Sequence, residues 1–75
     1  MSSSFWTLTV KLNDGRQLAL IDQEAQPITF VDLKQVERTA HSLRRLGQEA
    51  SCYIANEFYP TRDPGKWSYS RTVIL

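Results

Sequence analysis

The residue types that most often supply a nucleophile or a metal ligand occur once each, as His41 and Cys52. His41 lies in a predicted helix, on the side that faces solvent. Cys52 lies in a predicted strand, where a buried and unreactive thiol is common. A structural zinc site needs about four ligands, and an activated nucleophile needs a neighbouring base and a third group that orients it. We therefore predict no catalytic residue, no metal site, no cofactor and no small-molecule substrate.

Cationic side chains recur along the segment LKQVERTAHSLRRLG. At about 100° per residue, a narrow band nearly opposite the apolar stripe of this helix receives Lys34, Arg38, His41 and Arg45. A row of exposed cations is one way to hold a nucleic-acid backbone. The pattern is also typical of an ordinary solvated helix face, and a net charge of +1 supplies little long-range attraction. Nucleic-acid binding through this basic stripe is therefore the alternative hypothesis.

Aromatic side chains dominate the two strands predicted in the last third of the chain. In the final segment, KWSYSRTVIL, alternation places Trp67, Tyr69, Arg71, Val73 and Leu75 on one face. Tyr, Trp and Arg are the residue types that contribute most to binding hot spots. We therefore predict a protein interface formed by Tyr53, Glu57, Tyr59, Trp67, Tyr69 and Arg71, in which Glu57 and Arg71 pair across neighbouring strands.

Alternation alone does not decide which face of the segment CYIANEFY covers the helix. If Ile54 and Phe58 are in the core, the aromatic set above lies on the opposite, open face of the sheet. If the other face is the core, Arg71 is driven inside and Ile54 and Phe58 are left outside. Both alternatives leave large apolar side chains on the open face of a sheet with one helix, and such a patch usually marks contact with another surface.

The elements that must position these residues begin with a hairpin. The alternating segment FWTLTVKL predicts a half-buried strand, and the NDG that follows predicts a turn. A two-residue loop would mix the faces of the two strands. A three-residue Asn-Asp-Gly loop pairs Val10 with Leu18 and Leu8 with Leu20, which keeps the apolar face intact and gives Gly15 the left-handed position.

A helix is predicted from about Phe30 to Leu46, ended by Gly47 in a left-handed conformation. Its start has two consistent interpretations, with either Thr29 or Asp32 as the N-cap, and we favour Thr29. Apolar residues at helical spacing form one stripe on this helix, which predicts that it packs on a sheet.

The order hairpin, helix, hairpin predicts a small α+β domain, ββαββ, with one helix packed on a four-stranded, mostly antiparallel sheet. A chain of 75 residues is long enough for one domain, at 1–75, and we expect residues 1–4 to form a flexible arm. A lone cysteine excludes an internal disulfide, and no apolar segment suits a signal peptide or a membrane span. These features predict a cytoplasmic protein that does not enter the membrane.

These observations predict a non-enzymatic binding module that acts by protein–protein contact through the aromatic face of its sheet. Homodimerisation is the simplest form, because a small domain gains stability by burying such a face. A larger protein that this chain inhibits or adapts would use the same face. Small accessory proteins of phages and mobile elements offer an analogy of size only.

Overall fold

The computed structural model describes residues 4–47, 49–63 and 65–75, which form one helix and one four-stranded sheet. In chain order, strands β1 and β2, helix α1 and strands β3 and β4 cover Phe5–Lys11, Gln17–Ala19, Leu33–Arg45, Cys52–Pro60 and Trp67–Ile74. The sheet order is β2-β1-β3-β4, and each neighbouring pair is antiparallel. The predicted α+β fold with the order ββαββ is therefore confirmed, with a sheet that is antiparallel throughout its described strands.

The first hairpin has the predicted register. Val10 pairs with Leu18, and the Leu20 N–H donates to the Leu8 carbonyl at 3.1 Å. Gly15, at the end of the loop, has a φ of +92°, which a residue without a Cβ adopts at little cost. The polar face and the apolar face of the hairpin are consequently kept apart.

The helix starts later than predicted, at the first residue of Leu33–Arg45. Asp32 is its N-cap, and the Asp32 carboxylate accepts a hydrogen bond from the backbone N–H three residues later, at 2.9 Å. Thr29 is wrong as the cap because the chain is still extended there. Phe30 and Trp6 exchange two backbone hydrogen bonds of 2.8 Å, and these hold the segment before the helix along the edge of β1.

The end of the helix matches its prediction more closely. Leu46 is the C-cap, and Gly47 has the left-handed φ, +89°, that was expected. The Gly47 N–H donates to the Arg44 carbonyl at 3.1 Å, which satisfies one of the last carbonyl groups of the helix.

The core lies between the helix and the two central strands. Its buried hydrophobic residues are Trp6, Leu8, Val10, Val36, Ala40, Tyr53 and Ala55. The side of β3 that carries Tyr53 and Ala55 therefore faces the helix. This answers which face of the segment CYIANEFY covers the helix, a question that alternation left open. Ile54 and Phe58 lie on the opposite side of the sheet.

Strand β4 contains a β-bulge that divides it. Glu57 pairs with Arg71 and the next residue of β3, Phe58, pairs with Tyr69, so Ser70 has no partner in the ladder. Because of this extra residue, side chains with odd numbers change from one side of the sheet to the other at the bulge. Odd-numbered side chains of β4 consequently point away from the helix before the bulge and toward the helix side after it.

Candidate protein-contact surface

The side of the sheet that faces away from the helix is here called the back face. Its residues follow from the strand registers and from the buried residues of the opposite side. They are Phe5, Thr7, Thr9, Lys11, Gln17, Ala19, Cys52, Ile54, Asn56, Phe58, Trp67, Tyr69, Thr72 and Ile74. No described element packs over this face, because the helix lies on the other side of the sheet.

Aromatic rings cluster at one end of the back face. We call the four residues that carry them the aromatic cluster: Phe5, Phe58, Trp67 and Tyr69. The ring of Phe5 lies 5.5 Å from that of Phe58 and 4.5 Å from that of Trp67, between centroids, and Phe58 lies 6.1 Å from Tyr69. Trp67 is 54% exposed and Tyr69 is 58% exposed. The half-buried Phe5 and Phe58 thus hold two large rings in place while leaving much of both in water.

The hydroxyl of Tyr69 has a fixed neighbour on the same face. It forms a hydrogen bond with the Thr72 hydroxyl, which donates to the Asn56 side-chain carbonyl at 2.7 Å. This chain of polar contacts crosses from β4 to β3 beside the aromatic cluster. It restrains the Tyr69 ring on the surface, so less side-chain freedom is lost when another molecule covers it.

A groove of about 550 Å³ opens next to the aromatic cluster. One side of the groove is lined by Phe5 of β1, Phe58 of β3 and Trp67 of β4. Its opposite side is formed by Ala19 of β2 and by Pro27, in the segment that runs beside β1. Most of the lining is apolar, so the groove suits a hydrophobic side chain better than a charged one.

The back face carries very little charge. Lys11, at the end of β1 away from the aromatic cluster, is the only charged residue among the back-face residues named above. Glu57 and Arg71, which the sequence placed with the aromatic residues, both lie on the helix side. A partner can therefore cover this face without burying an unpaired charge, which would cost several kcal/mol.

Glu57 sits in a polar cluster on the helix side of the sheet and is only 7% exposed. Its carboxylate accepts hydrogen bonds from the Ser4 hydroxyl at 2.9 Å and from Arg71 Nε at 3.2 Å. The guanidinium of Arg71 also lies over the Trp6 ring, 5.1 Å from its centroid. Burial opposes ionisation of Glu57, but the hydroxyls of Ser4 and Ser70 and the charge of Arg71 outweigh it and lower its pKa.

The six residues predicted to form one interface therefore do not share one surface. Trp67 and Tyr69 lie on the back face. Tyr53 is fully buried under the helix, and Glu57 and Arg71 form the polar cluster. Tyr59 follows the alternation of β3 to the helix side, at the end of the sheet, and is 38% exposed. The bulge at Ser70, which strict alternation ignores, separates Trp67 and Tyr69 from the other four residues.

Phe5 and Phe58 belong to the aromatic cluster although neither was among the predicted interface residues. Alternation alone could not place Phe58, because Glu57 and Arg71 can pair across strands on either face of a regular ladder. Keeping that pair while Phe58 lies beside Tyr69 requires one extra residue between Tyr69 and Arg71.

The basic stripe is present on the outer face of the helix. Lys34, Arg38, His41 and Arg45 are all exposed, and the first three line a shallow concave surface with Glu37. Within residues 4–47, 49–63 and 65–75, none of these four forms an ion pair. The stripe and the back face lie on opposite sides of the molecule, since the helix covers one side of the sheet.

The residue types that could do chemistry are kept apart by the sheet. His41 lies on the solvent side of the helix and the side chain of Cys52 lies on the back face. Across the part of the chain that the structure describes, no group of three or more His, Cys, Asp or Glu residues is placed to hold a metal ion. The one helix found there is also too short and too polar to cross a bilayer.

Comparisons with protein-family models, with curated proteins and with solved structures found no match for this chain.

Proposed function

We propose that this protein is a non-enzymatic binding module that acts by contact with another protein through the back face of its sheet. The observation that carries the proposal is the aromatic cluster, in which two rings more than half exposed are held by two half-buried ones. Exposed apolar patches of this kind on small proteins mark interaction surfaces more often than idle ones.

The chemistry of the face favours a protein partner over a nucleic acid. A surface that grips single-stranded bases combines aromatic rings with cations that track the phosphates. Among the described residues assigned to the back face above, no cation lies beside the aromatic cluster, and Lys11 lies at the far end of β1. Aromatic rings in a neutral, partly polar surround are the composition of the central part of protein interfaces.

A photo-crosslinking amino acid at a single position tests this proposal. Placed at Tyr69, it lies in the proposed contact surface. Placed at Ser42, which is exposed on the helix, it provides a matched control on the opposite side of the molecule. We expect discrete protein adducts from position 69 and none of the same mass from position 42. Equal adducts from both positions, or none from position 69, would contradict the proposal.

A second candidate function is nucleic-acid binding by the basic stripe. The observation in its favour is that four exposed cationic or titratable side chains lie in one band without a described ion-pair partner. Such a helix face can contact successive phosphates.

Salt dependence separates this candidate from contact through the back face. Phosphate contacts make binding fall steeply with salt, by about 0.9 in log slope for each phosphate neutralised. We expect that Lys34→Glu combined with Arg38→Glu abolishes any binding of mixed DNA and RNA at low salt. Binding that is unchanged in that variant, or absent in the parent, would remove this candidate.

A further inference from the structure

We propose that the partner of the back face is a second copy of this chain, bound face to face around a two-fold axis that runs along the strands between β1 and β3. This inference rests on the proposed function and adds the identity of the partner and the geometry of the contact. Each copy places Tyr69 over the groove of the other copy.

The positions of the aromatic rings and the groove make the face complementary to itself. The groove crosses the sheet from Phe58 and Trp67 to Thr29 and Ala19 on the β2 side. Tyr69 projects from β4 level with Phe58 and Phe5. On the β2 side, Phe30 pairs with Trp6 at nearly the same level, and the adjacent Thr29 lines the groove. Because neighbouring strands are about 4.8 Å apart, Tyr69 and the segment of Thr29 each lie about 7 Å from a line between β1 and β3. A two-fold rotation about that line keeps the level along the strands, so it carries Tyr69 of one copy over the Thr29 end of the other copy's groove.

The charge distribution permits this arrangement. When two identical faces meet around a two-fold axis, a charged residue near the axis lies close to the same residue of the other copy. The two like charges would repel each other. The centre of the back face holds the neutral side chains of Thr7, Thr9, Asn56 and Ile54. Lys11 lies at the end of β1 beside the axis, so the two copies of Lys11 meet at the edge of the contact. Their flexible side chains let both ammonium groups extend into solvent there.

The area of the face reaches the lower range of what a stable dimer requires. The strands contain 7, 3, 9 and 8 residues. At a spacing of about 4.8 Å and a rise of about 3.3 Å per residue, they give a footprint of roughly 430 Å². A corrugated face of that size buries roughly 600 Å² per copy, the lower end of the roughly 600 to 1,000 Å² per partner of standard interfaces. Two twisted sheets pack in this way with their strands about 30° apart, and the helices remain on the outside.

The outer edge of β4 is a less suitable site for self-association. It is a free strand edge, but the bulge at Ser70 interrupts its row of backbone donors and acceptors. Bulges are a common means by which edge strands avoid pairing with other chains. The face therefore offers the larger continuous surface.

Two variants and one matched control test the inference by light scattering over a concentration series. Tyr69→Ser removes the projecting ring, and Ala19→Lys fills the groove with a charged side chain. Leu18→Lys is the control, since Leu18 is the neighbouring exposed residue on the other side of β2. We expect Tyr69→Ser and Ala19→Lys to raise the dimer dissociation constant about thirtyfold or more, and Leu18→Lys to leave it unchanged. Thermal melting of each dilute variant checks that it is folded.

Mixing the two variants tests the reciprocal geometry. In a mixed dimer, Tyr69 of the Ala19→Lys copy meets the intact groove of the Tyr69→Ser copy, so one of the two contacts survives. We expect the mixture to associate more tightly than either variant alone. A mixture as weak as its components would overturn the two-fold arrangement, and dimers unaffected by both variants would place self-association elsewhere.

A parent protein that stays monomeric at several hundred micromolar would overturn the second-copy inference. The proposed function is then decided separately by the crosslinking experiment. Adducts from Tyr69 with a different protein would retain contact through the back face and reject self-association. The absence of any adduct from Tyr69 would reject both.

Discussion

The two halves of strand β4, the second extended by Leu75, share one run of bulky odd-numbered side chains but have opposite surroundings. Residues 67–69, before the bulge, place their two aromatic side chains on the open back face. Residues 71–75, after the bulge, place Arg71, Val73 and Leu75 on the helix side, against Glu57 and the core. Alternation in the sequence assigns all five to one face. The difference shows that a single unpaired residue, Ser70, separates a structural half-strand from one available for contact.

The largest expected effect comes from the structural half. The Leu75 N–H donates to the Tyr53 carbonyl at 2.8 Å, and Val73 and Leu75 pack against the core. Deleting residues 73–75 should lower the free energy of unfolding by about 3 kcal/mol or more, a large part of the stability of a small domain. Thermal melting measures this loss. Ile74→Thr is the control, because Ile74 is 63% exposed on the back face and should change stability by less than about 0.5 kcal/mol. A deletion variant that melts like the parent would show that the end of β4 is not part of the core.

Replacing Glu57 with Gln tests the polar cluster through pH. The folded state lowers the pKa of Glu57 from its ordinary value of 4.5, so the unfolded chain binds a proton first as the pH falls. Stability from the ionised carboxylate is therefore complete above the ordinary pKa and is lost as the pH falls through the folded pKa. We expect Glu57→Gln to melt below the parent at neutral pH, with the gap narrowing below about pH 4.5. A gap that stays constant down to the lowest accessible pH would contradict the assigned pairing with Arg71.

Deleting Ser70 should have a smaller effect. Glu57 and Phe58 are consecutive in β3, whereas their partners Arg71 and Tyr69 are separated by Ser70 in β4. Deleting Ser70 makes Tyr69 and Arg71 consecutive as well, so each side chain of β4 can keep its present side of the sheet. We expect the variant to fold with a change in the free energy of unfolding of about 1 kcal/mol or less. The face of Trp67 is checked by its nuclear Overhauser contacts with Phe5. Loss of those contacts in a folded variant would mean that Ser70 is required to turn the aromatic residues outward.

The elements and the first register of this fold were predictable from local physics. The Asn-Asp-Gly loop set the pairing of Val10 with Leu18, and Gly47 marked the end of the helix. The start of the helix was not predictable because Thr29 and Asp32 are both good caps. Only the tertiary pairing of Phe30 with Trp6 keeps the chain extended past Thr29.

The sequence predicted some residues of the aromatic cluster but not all of them. Exposed Trp67 and Tyr69 were identified from residue type and alternation. Phe58 was not assigned to the same face as Trp67 and Tyr69 because a bulge changes the face of a strand without changing its composition. Phe5, in β1, was not among the predicted interface residues. Nothing in the residues around Ser70 distinguishes a bulged strand from a regular one until its partner strand is known.

The smallest expected effect on folding is that of Trp67→Ser. More than half of the Trp67 side chain is already in water and its main contact is the Phe5 ring at 4.5 Å. Melting of the dilute variant should differ from the parent by less than about 1 kcal/mol, whereas Trp6→Ser, in the core, should cost about 3 to 5 kcal/mol. Similar losses for the two variants would place Trp67 in the core.

The accessibility of the two tryptophans as a function of protein concentration tests the central claim most directly. Their indole N–H groups give separate nuclear magnetic resonance signals, and a soluble paramagnetic agent broadens only the exposed one. We predict that Trp67 is broadened in dilute protein and protected at high concentration, while Trp6, only 3% exposed, is protected throughout. If Trp67 is protected even in dilute monomer, it belongs to the core. If it stays broadened at high concentration while the protein forms dimers, the back face is not the surface through which this protein associates.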